Sequence, residues 1–306
     1  MNPPLVTIAI PTYNRADGLL KQALRAAVQQ TYANLEIIVS DNCSTDDTAA
    51  VVEGFHDPRI KYIRQKENIG AHNNFNFCVN AATGIYFLML HDDDLIDPDF
   101  VEACMQVAGG RTDIGIIRTG TRLIDEHHNV LRETRNLAQG LSTEEFFLSW
   151  MRGEIAFYLC STLFNTTRLQ EIGGFQSRRN LFNDVVAEVK LAASHGHADV
   201  PGVKASFREH PGEITFATNV RYWCEDSVEL LDLICQLVAE DQKATIRQEG
   251  ARFLSKLNYR LADKVDPVFR KIFAYFTVYK AFGYKYLPPP SLGLRRSLYR
   301  KMKSLL

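Results

Sequence analysis

The chain has 306 residues, with 35 Lys and Arg against 36 Asp and Glu, a formal net charge of −1. That balance excludes a broadly basic nucleic-acid binder and a highly acidic tail protein. Apolar residues at 46% and charged residues at 23% exclude disorder as the main state. The neutral sum conceals an asymmetry. From Lys264 to Leu306 ten basic residues accompany one acidic residue, Asp266, a local charge of +9; the preceding residues carry −10.

In chain order, Leu5 to Ile10 is an apolar run that stops at Pro11, the pattern of a buried strand. A helix is predicted from about Asp17 to Gln30, where Leu20, Leu24 and Ala27 recur on one face. Leu35 to Ser40 reads as a second strand, and Ser44 to Asp47 are capping residues before a helix over Thr48 to Glu53. A third strand at Ile60 to Ile63, a helix over Asn74 to Ala82 and a fourth strand at Ile85 to Leu90 follow. Repeated strand–helix units with strands apolar on both faces predict a mostly parallel sheet covered by helices.

Asp97 and Pro98 predict the N-cap and first residue of a helix to about Val107. Ile114 to Thr121 reads as a strand, Ser142 with Glu145 as a capping box opening a helix to Met151, and Cys160 to Phe164 as a strand. A helix is expected near Asp184 to Ser194, and from Val220 long helical periodicities run to about Tyr286, broken near Asp241 and Pro267. The expected organisation is a sheet domain over 1–218 and a helical region over 219–306 that ends in a basic amphipathic tail.

The six cysteines are scattered without a CxxC pair, which points to free thiols, a reducing compartment and no structural zinc. No signal-peptide pattern opens the sequence, and no apolar run approaches the roughly 20 residues of a spanning helix. A cytoplasmic protein, or one peripheral to the inner face of the cell membrane, is expected.

In parallel α/β sheets ligands bind beyond the carboxyl ends of the strands. Three polar clusters fall there: Pro11-Thr12-Tyr13-Asn14-Arg15, Asp41-Asn42, and His91-Asp92-Asp93-Asp94. Three adjacent carboxylates repel one another unless a cation or hydrogen bonds compensate. Such hard oxygen ligands suit Mg2+ or Mn2+ shared with a diphosphate, the competing explanation being a solvated helix cap.

PTYNR, VSDNCSTDDT, ENIGAHNNFN and LHDDD, in that order, resemble family 2 glycosyltransferases with a GT-A fold. IGGF at 172–175, Asn183-Asp184 and Arg208-Glu209-His210 extend the resemblance over roughly residues 5–215. The resemblance implies that Pro11, Thr12, Tyr13 and Arg15 line the nucleoside pocket and that Asp41 accepts a hydrogen bond from the base. It implies that Asn68, Gly70 and Asn76 approach the nucleotide, that Asp92 lies near the ribose, and that Asp93 binds the metal. His91 stands where the common motif has its first aspartate.

The resemblance also implies inversion by direct displacement, with Asp184 as the base; Asn183 replaces the glutamate of the family's Glu-Asp pair and cannot act as one. Asp184 is also placed to cap the following helix, where its pKa would be lowered. Arg208 matches a segment that closes over the donor phosphates, and His210 is a candidate to complete the metal shell. The QxxRW signature of processive polymerases is absent, since Arg221-Tyr222-Trp223 lacks the spaced glutamine.

In the last stretch Leu294, Leu298, Met302 and Leu305 recur at helical spacing, with Arg295, Arg296, Arg300, Lys301 and Lys303 largely off that stripe. This reads as an anchor for an anionic membrane, or as a helix packed on the protein or on a second copy. The expected activity is transfer of a single sugar from a nucleoside-diphosphate sugar, UDP or dTDP first, to a glycan or lipid-linked glycan acceptor of cell-surface polysaccharide synthesis. No nucleic-acid partner is expected, and a homo-oligomer is compatible with the reading. The alternatives are a sugar nucleotidyltransferase and a noncatalytic membrane-associated carbohydrate-binding protein.

Overall fold

The computed structural model describes residues 3–209 and 219–289. The chain forms two compact units, Met1–Gln176 with Asn183–Pro211, and Ser177–Phe182 with Gly212–Leu306.

Among the described residues the first unit is built on a nine-stranded sheet. Its parallel part holds β1 (Val6–Thr12), β2 (Leu35–Asp41), β3 (Ile60–Arg64) and β4 (Tyr86–Met89), in the spatial order β3-β2-β1-β4. Helices α1 (Leu19–Val28), α2 (Thr48–Glu53) and α3 (Ala71–Ala81) make the crossovers. Every residue of β1, β2 and β4 is buried, as strands covered on both faces require. Val6, Ile8, Ile10, Ile37, Val39 and Leu88 pack with Leu20 and Leu24 of α1 in one core. At about 1.5–3 kcal/mol per fully buried large apolar side chain, this interior carries the unit's stability.

Beyond β4 the sheet becomes mixed. β5 (Leu95–Ile96) and α4 (Phe100–Ala108) come first, then β6 (Ile116–Ile124), β7 (Val130–Thr134), α5 (Thr143–Arg152) and β8 (Thr162–Asn165). α6 (Thr166–Glu171), α7 (Asn183–His195) and the long β9 (His197–Arg208) complete the unit. β8 runs antiparallel to β4 and β6, β9 runs parallel to β6, and the short β5 pairs antiparallel with β9. The parallel arrangement expected from the sequence therefore holds for the first four strands. The capping box at Ser142 and Glu145 is present. His127 and His128 lie exposed in the β6–β7 turn.

One expected cap moves. The N-cap of α4 is Asp99, because the Asp97 carboxylate is held by Arg122 Nη1 at 2.6 Å. Asp97 serves the turn through its carbonyl instead, which accepts the Phe100 N–H.

The second unit contains α8 (Val220–Gln236), α9 (Lys243–Asp263) and α10 (Val268–Ala281). Leu230, Leu231, Ile234, Leu254, Tyr259, Tyr275 and Val278 are buried in it. The excursion Ser177–Phe182 belongs here through Asp226 of α8. Its carboxylate accepts the Ser177 hydroxyl at 2.7 Å and the N–H groups of Arg179 and Leu181 at 2.7 and 3.0 Å. Phe182 meets Trp223 edge to face. All six cysteines carry free thiols, and no helix among the described residues is long and apolar enough to cross a membrane. The residues of the amphipathic tail, 291–306, lie outside those described.

Candidate active site

The parallel register sets Thr12 of β1 beside Asp41 of β2, so the polar residues that end both strands share one edge of the sheet. The turn after β1 is laced to the turn after β2. Asn14 donates its N–H to Ser44 Oγ at 2.9 Å, and Thr45 donates its N–H to Asn14 Oδ1 at 2.8 Å. Asn14 and Cys43 adopt positive φ, 52° and 66°, to make these turns.

Asp41 is buried. Its Oδ1 accepts the N–H and the hydroxyl of Ser44 at 2.8 and 2.5 Å, and its Oδ2 accepts the Tyr62 hydroxyl at 2.6 Å, with Arg64 Nε at 3.6 Å. A carboxylate offers about four lone-pair positions, so one on Oδ2 remains for a further donor. Asn68 accepts from Asn42 Nδ2 and from the Gly70 N–H, both at 2.9 Å, which folds the loop ahead of α3. Gly70 caps α3 at φ 82°, a conformation that favours glycine, and the space beside its Cα is open.

The acidic turn follows β4. Thr12 Oγ1 donates to Asp92 Oδ2 at 2.7 Å. The Arg15 guanidinium lies 3.5 Å from both Asp92 Oδ1 and Asp93 Oδ2, bridging the two carboxylates. Asp94 is buried, and its Oδ1 accepts the Arg208 N–H at 3.0 Å. Burial pushes Asp92 up to about 7, the Asp93 charge adding to it and Thr12 and Arg15 opposing. Burial also pushes Asp94 well above the usual carboxylate range.

His91 packs its ring against Phe75 of α3 at 5.0 Å, and burial lowers its pKa, which favours the neutral imidazole. Its Nε2 is buried with no hydrogen-bond partner among the described residues. Ligand atoms of His91, Asp93 and Asp94 all lie within 4.8 Å of one another. The neutral His91 imidazole, whose Nδ1 lies 3.9 Å from Asp94 Oδ2, forms with the two carboxylates a donor set suited to a divalent cation. The metal pair expected from sequence was Asp93 with His210; His210 lies outside the described residues.

Three of the expected site residues are held by the protein itself. Arg208 is buried. Its Nε donates to the Asp93 carbonyl at 2.8 Å, Nη1 to the Asp125 carbonyl and Nη2 to Gln22 Oε1, both at 3.2 Å. It ties the acidic turn to the β6–β7 turn and to α1. Asn76 likewise has its amide engaged: Nδ2 donates to the Phe175 carbonyl at 3.1 Å and Oδ1 accepts the Phe175 N–H at 2.8 Å. It fastens α3 to the IGGF turn, where Gly174 has φ 78° and an added Cβ would sit 2.2 Å from Asn76 Oδ1.

Asp184, at the start of α7, is the third. Burial raises its pKa, overriding the N–H of Val185 that its Oδ1 accepts at 2.8 Å, so the helix terminus does not lower it as expected. His91 and Asp184 are near enough to influence each other's charge. Asn183 donates to His72 Nδ1 at 3.4 Å. Tyr13 is exposed beside this edge. The sequence placed Asp94 in the acidic cluster without giving it a ligand role, and it did not mark Ser44, Tyr62 or Gln22 as parts of the site. Of the four, only Asp94 carried a signal, through the Asp-Asp-Asp run.

The model for glycosyl transferase family 2 matches residues 7–168, which is more than half of the chain. The chain belongs to glycosyl transferase family 2. Among curated relatives of this family member, a Campylobacter jejuni protein named GalNAc(5)-diNAcBac-PP-undecaprenol beta-1,3-glucosyltransferase is 30% identical over 176 residues, 55% of each chain. An Escherichia coli chondroitin synthase is 33% identical over 135 residues, 44% of this chain and 19% of that one. The chain thus spans at most about half the length of these curated relatives. Staphylococcus aureus TarS 1–349 in complex with UDP-GlcNAc superposes with a TM-score of 0.66 at 16% identity, covering 90% of this chain and 81% of that one. The Pyrobaculum calidifontis mannosyltransferase PcManGT, in complex with GDP-Man and Mn2+, gives 0.60 at 19% identity, covering 100% and 81%. These likenesses establish the GT-A fold.

Proposed function

We propose that the chain transfers one sugar from a nucleoside-diphosphate sugar to a carbohydrate acceptor with inversion at the anomeric carbon. The observation that carries this is the acidic turn His91–Asp94, placed beside Thr12 and Arg15 at the end of the parallel strands. Pro11, Thr12 and Tyr13 line the nucleoside side, where the remaining lone pair of Asp41 receives a base N–H, and Gly70 with Asn68 lets the backbone of the α3 loop come close. Arg15 is the cation on the donor side. Asp93, with His91 and Asp94, would hold Mg2+ or Mn2+. Once bound, the ion would neutralise the departing diphosphate.

In the transfer step the acceptor oxygen bonds to the anomeric carbon while the bond from that carbon to the diphosphate breaks. The acceptor proton passes to Asp184. A carboxylate whose burial raises its proton affinity is a better general base near neutral pH than a fully solvated one. Arg208 and Asn76 position the turn and α3 without touching the donor.

The Campylobacter relative supports a lipid-linked glycan acceptor, and the neighbours with UDP-GlcNAc and GDP-Man support a nucleoside-diphosphate-sugar donor. Such an acceptor suits an enzyme peripheral to the inner face of a membrane, its tail at 291–306 adhering to anionic lipid. Thermal-shift screening of UDP, dTDP, GDP and CDP with and without Mn2+ tests the donor site. A Mn2+-dependent rise with one nucleotide is expected, and no rise with any of the four contradicts the reading.

A further inference from the structure

The second unit carries an apolar surface that sugar transfer does not use. On α10, Phe269, Phe273 and Phe276 are 58%, 70% and 57% exposed, with Ile272 and Val268 also exposed. At 3.6 residues per turn, Ile272, Phe276, Phe269 and Phe273 fall within roughly 100° of arc. With about 150–250 Å2 per aromatic side chain, the three phenylalanines alone leave roughly 350 Å2 of apolar surface in water. That is within the range of the largest apolar patch on a typical soluble monomer, about 300–600 Å2, a patch that is often functional. The opposite face of α10 is satisfied: Tyr275 and Val278 are buried, and the Tyr275 hydroxyl donates to Asp263 Oδ1 at 2.8 Å.

Charge identifies the occupant. Arg270 and Lys280 are exposed on the same helix, Lys285 is exposed just beyond it, and residues 264–289 carry five basic residues against one acidic, Asp266, a charge of +4. In a two-fold dimer through this face, the same basic residues would meet one another. An anionic lipid leaflet instead offers apolar depth beneath a negative surface, with roughly 1 kcal/mol of attraction for each basic residue near it. No described helix can cross the membrane, so α10 would lie along the interface.

We propose that the exposed aromatic face of α10 is a membrane-contact surface, seated in the headgroup region of an anionic bilayer. This locates the contact inside the folded second unit, whether or not the 291–306 tail also adheres. It is independent of the transfer chemistry, and vesicle binding is its primary readout.

The full-length chain carrying Phe273→Trp is mixed with vesicles of phosphatidylglycerol and phosphatidylcholine, half of them made with brominated acyl chains. The native tryptophans, Trp150 and Trp223, are both buried, so the parent chain supplies the baseline. The expected result is a blue shift and bromine quenching of the introduced indole beyond that baseline, weakened by salt and absent with phosphatidylcholine alone. The triple variant Phe269→Ser, Phe273→Ser, Phe276→Ser should lose vesicle affinity by at least about tenfold while keeping its circular dichroism and its transfer to a soluble acceptor. A Phe→Leu triple should retain most of the affinity. An unquenched indole with vesicle binding unchanged in the serine triple overturns the proposal. So does vesicle binding lost on deleting 291–306 with no effect of the serine triple. A concentration-dependent dimer abolished by the serine triple, with vesicle binding intact, would assign the face to a second copy of the chain and overturn it as well.

Discussion

Thr12 donates its hydroxyl to Asp92 Oδ2 at 2.7 Å, joining residues 80 positions apart in sequence. The bond ties the end of β1 to the acidic turn after β4, its parallel neighbour, and leaves Arg15 to bridge Asp92 and Asp93 from the other side. Thr12→Val keeps the volume and removes the donor. Leaving a buried carboxylate short of a partner should cost about 1–3 kcal/mol, read by urea unfolding, and weaken donor binding in parallel. Unchanged stability together with unchanged donor affinity would deny the bond this role.

Arg208 separates two accounts of the acidic turn. As the buried support, Arg208→Lys loses the fork that reaches Asp93, Asp125 and Gln22, and stability should fall by about 2–4 kcal/mol. If Arg208 instead gripped the donor diphosphate, the variant would keep its unfolding midpoint and raise only the KM for donor.

Gly174 and Asn76 should behave as a coupled pair. Gly174→Ala puts a methyl 2.2 Å from Asn76 Oδ1 at a φ of 78°, and a loss of about 2–3 kcal/mol is expected. Asn76→Ala alone should also destabilise. The double variant should lose clearly less than the sum, because each change breaks the same clasp. Strict additivity in a double-mutant cycle would refute the coupling.

Glu188 gives the first unit a pH signature. It is fully buried on α7 with Arg118 Nε 3.4 Å from Oε2, and burial pushes its pKa up to about 8 despite that cation. The folded state therefore binds a proton that the unfolded state releases above about 4.5. Between those values the unfolded chain holds fewer protons, so this group's contribution to stability falls as pH rises from about 4.5 to about 8. Glu188→Gln should flatten that slope in urea unfolding measured at pH 5, 6.5 and 8. An identical slope in the two proteins would show that Glu188 does not titrate there.

The parts of the fold legible in the sequence are those whose signal is local. LVTIAI, LEIIVS and IYFLML are apolar runs long enough to be strands, and Ser142 with Glu145 writes its capping box within four residues. β9 escaped because Pro201-Gly202 interrupts it and Lys204 and Arg208 sit within it, so neither alternation nor a continuous apolar run is present. The same limit governs the site. Residue types that end strands were visible as Thr12, Asp41, Asp92 and Asp93. The partners that decide what Arg208 and Asn76 do lie 115 and 99 residues away in sequence, where no local pattern records them. For Asp184 the helix position was legible, but the burial that reverses its expected pKa shift comes from the packed environment around α7.

The most direct test is the turnover of Asp184→Asn with whichever labelled nucleotide sugar the wild-type chain transfers in Mn2+. The kcat is predicted to fall by about 10²–10⁴-fold, with the Kd for donor nearly unchanged and the fold intact by circular dichroism. A variant that transfers sugar at the wild-type kcat would contradict Asp184 as the base and with it the proposed mechanism.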